Sequence, residues 1–130
     1  MAFHEINDQT IAALVDDFYA KARQDPDLGP IFIRHIGDDW DAHLDVIKLF
    51  WSNVMLADGR YTGNPMGKHL SLTEIEPRHF DIWLELFGET AGDLFDDTVA
   101  GLFVERANRI ARSLKMGMFE SFGPKITTAK

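Results

Sequence analysis

Apolar residues recur at intervals of three and four along four long stretches of this chain, and nowhere do they alternate with polar residues between hairpin turns. That pattern favours helices packed on helices and gives no reason to expect a sheet. Over residues 9–24 the stripe is Ile11, Leu14, Val15, Phe18 and Ala22, with Thr10, Asp16 and Asp17 facing elsewhere. Asp25-Pro26 ends this helix, because the residue before proline avoids helical geometry and proline has no amide proton. The segment Leu28-Gly29-Pro30-Ile31-Phe32 reads as a short turn or helical connector. A second long helix over about 38–57 carries Trp40, Leu44, Ile47, Trp51 and Val54, with Asp38 or Asp39 as its N-cap. A third starts at Glu76-Pro77 with Phe80, Trp83, Leu84 and Phe87 on one stripe and stops near Ala91-Gly92. A fourth runs from about Asp96 to Met118 on Val99, Leu102, Phe103, Ala107, Ile110, Ala111 and Leu114. Residues 58–67 hold three glycines and a proline, which no long regular element can accommodate. Pro65 suits the first turn of a short helix carrying Lys68, His69 and Leu70, and the tail after Gly123 reads as frayed.

With 130 residues and 45% hydrophobic content, the chain can form one all-α domain around its own core. It has no cysteine, so disulfides, thiolate-bound zinc and iron–sulfur clusters are excluded, and any metal must be held by histidine or carboxylate. A formal charge of −8 argues against a phosphate-binding surface and hence against nucleic acid as a partner. No run of eighteen apolar residues and no charged start followed by an apolar stretch occurs, which favours a cytoplasmic protein with no membrane partner. No P-loop, GxSxG, GxGxxG or paired-carboxylate motif stands out, so hydrolytic and phosphoryl chemistry have no support. Ten Phe, three Trp and two Tyr are generous for this length, and fit either a ring-rich core or an aromatic wall for a flat apolar ligand.

Five histidines stand at positions 4, 35, 43, 69 and 79, none in an HExxH arrangement, so a dedicated zinc site is not expected. His4, His35 and His79 read as solvated surface groups. His43 lies one turn before Ile47, with Phe50 following on the same face. It is either a half-buried ring bonded to a carboxylate such as Asp39 or a polar group directed along an apolar stripe. His69 is flanked by Leu70 and Leu72 and would be unremarkable alone. Tyr19 and Trp83 are core rings by default, although a hydroxyl and an indole donor converging with a histidine on one cavity would suit a small polar ligand.

Taken in order, Asp17-Phe18-Tyr19, then Leu28 to Phe32, then Phe50-Trp51, Lys68-His69-Leu70 and Ile82-Trp83-Leu84 form a combination that resembles the truncated haemoglobins from about residue 8 to residue 118. The absence of Gly-Gly pairs at the helix junctions, the connector at 28–32, and a distal histidine beside Trp83 resemble the third group of that family. The resemblance implies a two-over-two helical sandwich enclosing haem b. It implies His69 as the proximal iron ligand, with its second ring nitrogen donating to an acceptor that fixes the tautomer. Phe32 would pack on the haem face, Tyr19 and Trp83 would be distal donors, and His43 and Ile47 would occupy distal positions, the histidine either as a gate to the pocket or as a group bonding the ligand. Phe50 would line the haem beside them. Lys68, Arg78 and His79 are candidates for the haem propionates.

The function so implied is binding of O2 and related diatomic ligands (NO, CO, cyanide). Release of O2 is expected to be slow, because donors at a partly charged ligand act strongly in a low-dielectric pocket. A haem enzyme with peroxidase-like or nitric oxide dioxygenase activity is the alternative; turnover would call for a separate reductase, since no flavin or nicotinamide motif is present. A cofactor-free helical interaction module is a further alternative. A monomer is the expectation.

Overall fold

The computed structural model describes residues 2–61 and 75–119, and within them five α-helices: α1 Asp8–Gln24, α2 Leu28–Ile36, α3 Trp40–Leu56, α4 Pro77–Leu94 and α5 Asp97–Phe119. The expected short helix with Lys68 and His69, and the expected fraying after Gly123, lie outside the described residues. The long helices form two layers, with α1 against α3 in one and α4 against α5 in the other, while α2 bridges α1 and α4.

Capping explains where the helices begin. Asn7 Oδ1 accepts the Thr10 amide at 2.9 Å and Thr10 Oγ1 accepts the Asn7 amide at 3.0 Å, a reciprocal box at the start of α1. Because the Thr10 hydroxyl also donates to the Glu5 carbonyl at 2.9 Å, this side chain is buried rather than facing away. Residues 28–32 are part of a nine-residue helix, not a mere turn. Asp25 is the reason: its Oδ1 accepts the Asp27 and Leu28 amides at 2.8 and 2.9 Å, and its carbonyl accepts the Gly29 amide at 2.8 Å. Pro30 then falls in the first turn, where its missing donor costs nothing. At α3 the expected acidic cap is absent. Asp39 holds the cap position, but at φ −94° and ψ 37° it departs from the extended geometry of a capping residue, and its carboxylate makes no cap bond. The third helix continues past Gly92 to Leu94, because burial of Thr90 and Ala91 outweighs the roughly 1 kcal/mol a glycine costs inside a helix.

The junction of α1 and α2 is tight. A Cβ on Gly29 would lie 2.5 Å from the Arg23 carbonyl oxygen and 3.2 Å from its carbon, both backbone atoms that cannot turn aside. Gly29→Ala is therefore expected to destabilise the fold by about 1–3 kcal/mol, although the same change in an open helix would stabilise. A urea midpoint equal to that of the unsubstituted protein would contradict this close approach.

Two long-range ties close the structure. Phe3 exchanges backbone hydrogen bonds with the α4–α5 junction, donating to Leu94 at 2.8 Å and accepting from Asp96 at 3.0 Å, an isolated bridge and the only β pairing among the described residues. After α3, Arg60 Nη2 reaches Asp8 Oδ1 at 2.7 Å and Ser52 Oγ at 2.6 Å, and Ser52 also donates to Asp58. The core lies between the layers, where Phe87 is stacked between Trp51 (centroids 4.9 Å, interplanar angle 16°) and Trp83 (5.3 Å, 10°).

Candidate functional site

Above and beside that stack the helices fail to close. They leave a cavity of about 540 Å³, inside the roughly 300–1,000 Å³ typical of cofactor and ligand sites. Tyr19 of α1 and Trp83 of α4 stand at one part of its wall, Phe32 and His35 of α2 at another, and His43, Ile47, Phe50 and Trp51 come from successive turns of α3. The opposite wall is Phe80 of α4 with Ile110, Ala111 and Leu114 of α5. The repeat of 3.6 residues brings this about: His43, Ile47 and Phe50 share one face of α3, and Ile110, Ala111 and Leu114 share one face of α5.

Tyr19, Trp83 and His79 are among the polar groups in this mostly apolar wall. Tyr19 is buried, and burial pushes its phenol up to about 12, against the opposing pull of the Trp83 indole, which donates its N–H to the phenol oxygen. The phenol thus stays protonated at neutral pH. With its oxygen already accepting, its O–H remains a donor. The Tyr19 ring stands edge-on to Phe32, centroids 5.6 Å apart, and nearly perpendicular to the half-buried His43 at 6.1 Å.

His79 was expected at the surface, and the structure corrects this: it is buried in the cavity wall. The cause is local. Its Nδ1 accepts the Glu76 amide at 2.8 Å, satisfying a donor that the start of α4 would otherwise leave orphaned, and this draws the ring inward. The ring proton then sits on Nε2. Arg78 is exposed and lies off the cavity wall, paired with Asp27 and Glu76 at 3.2 Å each. His4 is exposed and pairs with Asp96 at 3.0 Å, while His35 is exposed at the cavity edge.

Of the residues singled out in the sequence, Tyr19, Phe32, His43, Ile47, Phe50, His79 and Trp83 thus meet at one cavity, and Arg78 does not. Lys68 and His69 lie outside the described residues. Sequence reasoning did not single out Tyr61, which lines the cavity edge-on to Phe50 at 5.2 Å and whose phenol is raised by partial burial. It sits in a glycine-rich stretch with no periodicity to mark it. Among the described residues, no three His, Asp or Glu side chains gather where a metal ion could be held by protein groups alone. The wall fits a flat, mostly apolar group with a polar edge: rings and branched aliphatics cover its faces, and histidine donors stand at its margin. No helix among the described residues is long and apolar enough to cross a membrane.

A curated relative, the Group 3 truncated hemoglobin ctb of Campylobacter jejuni, is 36% identical over 126 residues, spanning 95% of this chain and 99% of that protein. The crystal structure of a group III truncated hemoglobin from Campylobacter jejuni matches the fold with a TM-score of 0.88 at 36% identity, over 92% of this chain and 97% of that one. No family model matches the chain.

Proposed function

The chain belongs to the group 3 truncated haemoglobins, and on that premise we propose that it holds haem b in this cavity and binds O2 and related diatomic ligands between Tyr19, Trp83 and His43. One observation carries the reading: a buried, protonated tyrosine bonded to a tryptophan donor at the wall of an otherwise apolar cavity. When bound, haem supplies a ferrous iron that takes a diatomic ligand and shifts negative charge onto it. His69 would be the iron's protein ligand. Phe32, Ile47 and Phe50 would cover the flat faces, and the Nε2–H of His79 would donate to a carboxylate at the edge, with Lys68 supplying a cation there. Tyr19 would then donate its phenol proton toward the ligand, beside an apolar wall whose low dielectric strengthens the bond. A cofactor-free module would be expected to fill this volume with its own side chains, since protein interiors are close-packed.

The test is an absorption spectrum of the purified protein, ferric and dithionite-reduced, beside His69→Ala. A Soret band that is lost or altered in the variant is the expected result. A featureless spectrum that added haem leaves unchanged would overturn the proposal.

A further inference from the structure

Trp40 is not part of the cavity wall, yet it touches three rings that are. It is the first residue of α3, buried, with its centroid 5.8 Å from His43 at 90°, 5.8 Å from Phe32 and 6.2 Å from Tyr19. His43 follows it by three positions on the same helix face, so the two side chains are neighbours by helical geometry as well as by contact. The Arg23 guanidinium, from the last turn of α1, lies 4.3 Å from the Trp40 ring centroid. The Arg23 backbone lies at the close approach to Gly29 at the α1–α2 junction. The indole is thus held between a cation and the rings that line the cavity.

We propose that Trp40, clamped by Arg23, is a positioning residue: it fixes the His43 imidazole against Tyr19 and thereby sets how fast small ligands enter the cavity. A guanidinium over an indole face is an electrostatic contact that favours one ring orientation, and edge-to-face pairs are likewise orientation-specific. Trp40 therefore transmits orientation to His43 rather than merely filling space. Without it, the imidazole loses the edge-on contact that helps to set its orientation against Tyr19.

This inference rests on the haem–ligand reading above, and the experiment separates the two. In the haem-loaded ferrous protein, CO association is followed by flash photolysis, the CO stretching frequency by infrared, and the His43 ring resonances by NMR of the diamagnetic CO form. Arg23→Met is expected to speed CO association by about two- to fivefold, the Boltzmann range of an exposed cation–ring contact, with Arg23→Lys restoring it. Trp40→Leu is expected to speed it on the order of tenfold, because three ring contacts go at once, with Trp40→Phe recovering most of the effect. In both disruptive variants the His43 resonances shift or broaden and the CO stretch splits. A purely structural role would instead lower the unfolding midpoint with rates and signatures unmoved. Rates within twofold of the unsubstituted protein and unshifted His43 resonances would overturn the proposal. Should the unsubstituted protein take up no haem, the function reading falls, and the same His43 resonances in the haem-free protein still decide the role of Trp40.

Discussion

O2 should leave the haem-loaded Tyr19→Phe/Trp83→Phe protein about ten- to a hundredfold faster than the unsubstituted one, given roughly 1.5–3 kcal/mol for one hydrogen bond to a charged acceptor and about 1.4 kcal/mol per tenfold. Each single variant should show about tenfold or less. The asymmetry follows from the pairing of the two side chains. Trp83 donates to the Tyr19 oxygen, so the phenol carries the outward-facing proton and the indole supports it. Tyr19→Phe leaves the indole N–H without its acceptor, and the ligand is then the nearest replacement. Trp83→Phe leaves the phenol proton in place. Each single variant therefore keeps one of these two donors and only the double variant has neither, so the two effects couple rather than act independently. Stopped-flow displacement of O2 by CO measures the rates. A double variant within twofold of the unsubstituted protein would remove Tyr19 and Trp83 from ligand retention.

Phe87→Ala should cost about 3–5 kcal/mol of stability, a large share of the roughly 5–15 kcal/mol available to a protein of this kind. Phe87 is 2% exposed and stacked on both faces, against Trp51 of α3 and Trp83 of α4, with the edge of Phe18 of α1 at 5.5 Å. Removing its ring leaves a hole where three helices meet, and the two indoles that back onto it are cavity walls. Urea unfolding at a fixed haem concentration, with all variants in one ligation state, isolates the effect from the stabilisation that ligand binding itself supplies. Phe87→Leu should lose less than half as much. A loss below about 1 kcal/mol for the alanine variant would mean that the stack contributes little beyond ordinary burial.

The four long helices were legible because their apolar stripes repeat over many turns, and the ends of α1 and α5 fell within a residue or so of expectation. Local polar contacts were harder to read. Pro30 and Gly29 look like breakers until Asp25 is seen to cap the helix that contains them. His79 looks like a surface group until its ring is found accepting a backbone amide at the start of α4. Most of the cavity residues named from the sequence do meet, since helical spacing places them on inward faces. Trp40 was placed in the α3 stripe without any sign of its contact with Arg23, and the Arg60–Asp8–Ser52 tie joins positions more than forty residues apart, which periodicity cannot reveal.

The three tryptophans of this chain all gather around one space: Trp51 and Trp83 in its wall and Trp40 directly behind Tyr19, Phe32 and His43. The protein consequently carries its own optical gauge. Any strongly absorbing group that entered the cavity would lie within energy-transfer range of every indole and quench nearly all the ultraviolet emission.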